Sequence, residues 1–308
     1  MDSRLRSVPG SAQWISCERL LLGWSSDEKY IIRSIDGRKL LLRTAASEQY
    51  AVKRLEYELV RQVAALGVNA SRPVDFGRFD GGVYTLYTWI EGQSLEDALC
   101  SLPEDVQYRL GMEAGQALRL IHTLPAPADR PAWSEYMNRK MDRKIHAALS
   151  CPLEVPGRAM MIKYINSHRH LLENRPQTMQ HGDYHCGNLL LTPAGHVAVI
   201  DFNRFDAGDP WEEFNRIVWC AQRSPAFASG RINGYFENDV PDDFFPLVTM
   251  YILSNQLSSL PWAIPFGQGE IDVMLRQARE VLSWYDGCTR DVPVWYHSPE
   301  TALSLINR

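Results

Sequence analysis

Short apolar runs dominate the first ninety residues. Positions 15–22, 30–34 and 39–43 read as strands, and Asp36 with Gly37 supplies the turn of a hairpin between the second and third. Val52, Leu55, Leu59, Val63 and Leu66 recur at helical spacing, which predicts an amphipathic helix that ends at Gly67 and lays this stripe on the sheet. Positions 83–90 are strongly β-forming and run into Glu91 and Gly92.

Beyond Pro103 the period changes. Val106, Leu110, Ala114, Ala117, Leu118 and Ile121 mark a long helix, and further helices are expected over 134–149, 157–173, 244–260 and 271–285. One β signal interrupts them: Leu189 to Leu191 and the run Val197, Val199 and Ile200 flank the turn 192–195, a hairpin pattern. The fold class expected is α+β, with a small β-rich N-terminal part carrying one main helix and a larger, mostly helical C-terminal part. The division is expected near 86–92, giving segments 1–91 and 92–308.

Composition narrows the classes. With 308 residues, 45% hydrophobic and 22% charged, the chain can bury a large core in two lobes. A net charge of −5 and the lack of a basic tract argue against a nucleic-acid partner. No apolar run reaches the roughly 20 residues that span a bilayer, and the first ten residues lack a signal-like core, so no membrane partner and a cytoplasmic location are expected. The six cysteines are scattered without a C-x-x-C pair, which points to neither zinc nor a disulfide framework. Cys186 is read as a small side chain tolerated in a tight loop. Nothing in the pattern sets an oligomeric state.

The chemistry concentrates between His181 and Asp201. Asp183 stands five positions before Asn188, and Asp201 thirteen after it. Phosphoryl transfer spreads negative charge over the moving oxygens, so it needs a divalent ion held by hard oxygen donors, and a carboxylate off the metal to orient the alcohol and take its proton. Asn188 and Asp201 are the candidate metal ligands and Asp183 the candidate catalytic base. The hairpin would bring Asn188, at the entry of one strand, to Asp201, at the exit of its partner.

These residues carry a resemblance. His181, Gly182, Asp183, His185 and Asn188, then Ile200, Asp201 and Phe202, then Gly208, Asp209 and Pro210 resemble the signature of the aminoglycoside phosphotransferase family, protein-kinase-like small-molecule kinases. The resemblance implies a two-lobed protein-kinase-like fold, Mg2+, ATP or GTP as co-substrate, and a small-molecule hydroxyl acceptor. An aminoglycoside-like acceptor leads; choline, homoserine, methylthioribose and macrolide types are the alternatives, and a non-catalytic nucleotide-binding protein is the other class. Ser25 and Ser26 would cover the phosphates. Arg43 occupies the place of the strand lysine that pairs phosphates, with Glu56 or Glu58 steadying it and Glu56 fitting better. Backbone near Thr88 and Ile90 would read the base.

The same resemblance makes Asp209 a structural brace and puts Glu213 where many relatives have Asp. His181 is expected to fix the loop by hydrogen bonding and His122 to pack or cap. Trp262, Phe266 and Trp284 either fill the core or line an acceptor pocket.

Overall fold

The structure is a computed structural model, described here for residues 3–21 and 27–306. Five strands, β1 (Trp14–Leu20), β2 (Glu28–Ser34), β3 (Lys39–Ala45), β4 (Pro73–Phe79) and β5 (Gly82–Thr88), form one antiparallel sheet in the order β1-β2-β3-β5-β4. Period-two alternation divides its two faces. Tyr30, Ile32, Leu40, Leu42, Tyr84 and Leu86 join Leu5 and Val8 in a buried cluster on one face. Lys29, Leu41, Arg43 and Tyr87 therefore point to the other. Helix α1 (Tyr50–Ala65) packs against β4 and β5.

The expected stripe of α1 is only half realised. Val52 and Leu55 are 54% and 61% exposed, while the buried face is Lys53, Glu56, Leu59, Val60 and Val63. In the first two turns ion pairing has overridden apolar periodicity: the two buried charges meet partners on the sheet, described below.

The next strand, β6 (Gln93–Ser94), precedes α2 (Leu95–Leu99), α3 (Glu104–Ile121), α4 (Trp133–Leu149) and α5 (Arg158–His168). The helix expected over 157–173 thus gives way to a 3-10 turn at Arg169–Leu172. Three-residue strands follow, β7 (Thr178–Gln180), β8 (Leu189–Leu191), β9 (Val197–Val199) and β10 (Asp206–Gly208), then α6 (Ile217–Arg223), α7 (Pro225–Tyr235), α8 (Phe244–Ala263), α9 (Gln268–Trp284) and α10 (Pro299–Ile306).

Packing groups these elements into two compact units, Met1–Leu95 with Gly187–Phe205, and Glu96–Cys186 with Asp206–Arg308. A single cut near residue 91 was expected; instead the β8–β9 hairpin belongs with the N-terminal sheet unit. The reason is local. β8 pairs with β6, Val199 N donates to Asn69 O at 2.8 Å, and Asn69 Nδ2 donates to Val197 O at 2.9 Å.

In the second unit α3 and α7 approach to backbone contact. A Cβ on Gly111 would lie 2.2 Å from Phe227 O, on Gly115 2.2 Å from Arg231 O, on Gly230 2.2 Å from Tyr108 O, and on Gly234 2.2 Å from Met112 O. Each helix thus offers two glycines one turn apart to the other's carbonyls. That contact fixes where the helices deliver Ala114 O and the Arg231 side chain. No helix among the described residues is long and apolar enough to cross a membrane.

Because a methyl group at that crossing must push two helices apart, Gly115→Ala should lower unfolding free energy by about 1–3 kcal/mol. Urea unfolding checks this, and an unchanged midpoint would contradict the close packing.

Candidate active site

Register places the first charges. β2 and β3 pair Lys29 with Arg43, which sets two cations side by side on the pocket-facing side of the sheet, an arrangement that costs energy unless carboxylates intervene. They do. Arg43 Nε and Nη2 donate to Asp27 Oδ2 at 3.1 and 2.8 Å, and Arg43 Nη1 donates to Asp201 Oδ1 at 3.0 Å. The same nitrogen lies 3.3 Å from Glu56 Oε1. Lys29 Nζ reaches Asp201 Oδ2 at 3.4 Å. Lys53 Nζ bridges Asp27 Oδ2 at 2.6 Å and Glu56 Oε2 at 2.9 Å.

Three cations and three carboxylates thus make one network. Burial disfavours the charged Arg43, but Glu56, then Asp201 and Asp27, outweigh it and hold the guanidinium above its ordinary value. Burial first, with Glu56 adding to it, pushes the neighbouring Tyr87 hydroxyl upward. The choice between Glu56 and Glu58 is decided by position: Glu56 is buried in the network, whereas Glu58 pairs with Arg61 at the surface. Lys29, Asp27 and Lys53 carried no motif and were not expected. The signal available for Lys53 was its i,i+3 spacing to Glu56 on the sheet-facing side of α1.

A cavity of about 400 Å³ lies against this network, entirely within the first unit. Lys29, Arg43, Glu56 and Asp201 contribute its charges and Leu20, Leu41, Val60 and Leu190 much of its apolar wall. Thr88, Trp89, Ile90 and Asn188 also line it. Since Leu40 pairs with Thr88, backbone at Thr88 and the Arg43 side chain are three residues apart along β3, roughly 10 Å. The Thr88 amide is spent on Arg72 O at 2.9 Å and that of Trp89 on Lys39 O at 3.1 Å. Both amides are thus already engaged within the sheet, and Thr88 and Ile90 both stand on the cavity wall.

Arg43, Glu56, Thr88, Ile90, Asn188 and Asp201 are thus gathered around one cavity. Ser25 and Ser26 lie outside the described residues. Asn188 and Asp201 follow from the hairpin, in which Leu189 pairs with Val199 and Ile200 N donates to Asn188 O at 3.1 Å. Asp201 has φ 65° and ψ 64°, a left-handed conformation that Asp tolerates better than most residues. Such local strain is typical of functional positions.

The donor chemistry suits magnesium. An amide oxygen and a carboxylate are hard ligands, and Mg2+ characteristically takes one or two protein ligands and completes its shell with phosphate and water. Among the described residues no group of three or more His, Cys, Asp or Glu is placed to hold a metal ion.

Asp183 belongs to the second unit, on a loop tied down at several points. Glu213 accepts the His181 amide at 2.9 Å and the Gly182 amide at 2.5 Å, and its Oε2 lies 3.1 Å from His122 Nε2. His122 is thus a buried anchor of Glu213, and its Nδ1 meets the Tyr235 hydroxyl at 2.9 Å. The longer Glu213 side chain reaches two amides at once. His181 Nδ1 accepts the Asp183 amide at 3.3 Å. From α7, fully buried Arg231 donates to Tyr184 O at 2.8 Å, and the Tyr184 hydroxyl donates to Ala114 O of α3 at 2.7 Å. The Asp183 carboxylate lies 3.2 Å from Arg216 Nε and 3.7 Å from His185 Nε2.

Asp209 is fully buried, accepting from Arg175 at 2.8 and 3.0 Å and from the Tyr251 hydroxyl at 2.7 Å. This is the bracing geometry expected of it. Trp284 is buried, whereas Trp262 and Phe266 are 50% and 52% exposed and pair at 4.8 Å. All six cysteines are free thiols, and Cys186 is buried.

The sequence matches the profile of the phosphotransferase enzyme family, APH, over residues 16–244. The chain belongs to that family. A search of curated proteins by sequence finds no significant match. Solved structures give the fold. A thermostable mutant of aminoglycoside phosphotransferase APH(4)-Ia, in a ternary complex with AMP-PNP and hygromycin B, aligns with TM-score 0.67 at 17% identity, covering 94% of this chain and 99% of that one. A choline/ethanolamine kinase family protein from Mesorhizobium loti gives 0.66 at 16% identity, covering 99% and 97%. The GDP and kanamycin complex of APH(2")-IIIa gives 0.65 at 18%, covering 90% and 96%. The architecture is the α+β, protein-kinase-like fold of this phosphotransferase family.

Burial opposes the charge on Glu213, but His122, then His181 and Arg231, outweigh it and hold the carboxyl below its ordinary value. Its contribution to stability is therefore complete above the ordinary glutamate pKa of about 4.3 and is lost as pH falls through the lower folded-state value. Urea unfolding at pH 7 and pH 3.5 should show Glu213→Gln losing less stability on acidification than the parent; equal losses would contradict this assignment.

Proposed function

We propose that this chain is a kinase that moves the γ-phosphate of ATP or GTP to a hydroxyl of a small molecule. The observation that carries the reading is the one cavity bounded by Arg43, Lys29, Asn188 and Asp201 together with the backbone at Ile90. Its roughly 10 Å run along β3 suits a nucleoside triphosphate whose base meets Ile90 and whose phosphates meet Arg43 and Lys29. In this reading the first unit is the nucleotide-binding lobe and the second the catalytic and acceptor-binding lobe.

Arg43 presents a planar fork to phosphate oxygens, a contact that a lysine in its place would make only as a point charge. Asp27, Glu56 and Lys53 fix that fork from behind. Asn188 and Asp201 would hold magnesium, which neutralises the developing phosphate charge when bound. Asp183 orients the acceptor hydroxyl and receives its proton as the new P–O bond forms and the bond from phosphorus to the β-γ bridging oxygen breaks, releasing the nucleoside diphosphate. Family membership supports phosphotransfer. The acceptor expected from the resemblance is aminoglycoside-like, and two aligned structures hold hygromycin B and kanamycin.

Asp183→Asn should keep nucleotide affinity within a few-fold while transfer falls by about 10²–10⁴-fold. Parallel nucleotide titration and product detection by mass spectrometry check this. An unchanged turnover number would remove Asp183 from the mechanism, and absence of turnover in the parent across a broad acceptor panel would favour a nucleotide-binding protein without catalysis.

A further inference from the structure

Three cations of the second unit lie around the 3-10 helix Glu212–Arg216. Arg216 holds one Asp183 oxygen at 3.2 Å. Four residues earlier, on the same 3-10 helix Glu212–Arg216, Glu212 pairs with Lys140 of α4 at 3.3 Å. One turn along α4 from Lys140 stands Lys144, whose ammonium donates to the amide oxygen of Asn255 on α8. Asn255 is in turn bonded to Asn215 at 2.6 Å.

The charges do not balance. Arg216 has Asp183 and Lys140 has Glu212, but among the described residues Lys144 has no carboxylate. An ammonium taken from water and given only an amide oxygen is poorly compensated. Burial first, then Lys140 and Arg216, lower the Lys144 ammonium to about 7, against an opposing pull from Glu212. Beside it the side chains of Lys140 and Arg216 are 28% and 33% exposed. Lys144 thus stands as a cation without a carboxylate of its own, in the field of the Arg216 that holds Asp183.

We propose that Lys144, assisted by Lys140 and Arg216, forms an anion subsite for the acceptor, so that the acceptor is a small hydroxy compound bearing a carboxylate or phosphate group. The proposal rests on the kinase reading of Asp183. The anionic group pairs with Lys144 and supplies the missing charge, while the hydroxyl faces Asp183. A polycationic aminoglycoside would instead meet an uncompensated like charge at Lys144.

The test compares kcat/KM, with magnesium and nucleotide saturating, for four acceptor classes: hydroxy carboxylates, sugar phosphates, uncharged polyols and aminoglycosides. Anionic acceptors should exceed aminoglycosides by roughly a hundredfold or more, a difference within reach of two or three charge contacts, and the first two classes separate carboxylate from phosphate. Lys144→Met and the more conservative Lys144→Gln should each raise KM for the anionic acceptor about tenfold or more with kcat little changed, the signature of lost ground-state binding. Lys144→Met should also raise Tm by roughly 2–4 °C, because it removes a poorly compensated buried charge.

Preference for aminoglycosides or polyols, or an unchanged KM in both variants, overturns the subsite while leaving the kinase reading intact. No turnover with any class, together with no nucleotide binding, overturns both.

Discussion

The buried carboxylates of Asp27 and Glu56 are what the rest of the first unit depends on. A sheet that sets Lys29 directly opposite Arg43 on one face is electrostatically unfavourable. Asp27 and Glu56, joined by Lys53, turn that liability into a rigid array whose outer members, Arg43 and Lys29, line a cavity. Removing either carboxylate would leave buried cations short of charge, which is far costlier than losing a surface pair. The same network captures Asp201, and with it the end of the β8–β9 hairpin. The candidate metal ligands therefore belong structurally to the unit that would hold the nucleotide.

The second unit solves a different problem, holding a loop still without regular structure. Glu213 takes two consecutive amides, His122 and Arg231 orient that support, and Tyr184 hangs the loop from α3. Those supports are themselves placed by the glycine crossing of α3 and α7. Packing that looks purely structural thus positions the side chain next in sequence to Tyr184, Asp183, whose carboxylate then meets Arg216 and His185.

Much of this was legible in the sequence because the spacing between Asp183, Asn188 and Asp201 encodes a loop followed by a hairpin, and because strand periodicity is strong in the first ninety residues. The glycine pairs went unread: Gly111 and Gly115 sit inside a helix whose apolar residues already explained it, and Gly230 and Gly234 lie in another helix, so only coordinates reveal that they touch. Lys53 and Asp27 were hidden for a related reason. Charged residues read as surface by default, and their burial depends on partners distant in sequence. The stripe Val52 and Leu55 misled for the same cause. Lys144 and Arg216 lie on elements far apart in the chain, so their convergence had no local pattern.

On the proposed function, the array behind Arg43 prepares a cavity for a magnesium-bound nucleoside triphosphate. Calorimetric titration of ATP and GTP into the parent protein and into Arg43→Gln, each with and without magnesium, is the decisive measurement. At least one nucleotide should bind at a single site, more tightly with magnesium and about tenfold or more weakly in Arg43→Gln, as for loss of a charge-assisted phosphate contact. Failure of both nucleotides to bind, or binding indifferent to magnesium and to Arg43→Gln, would contradict that function.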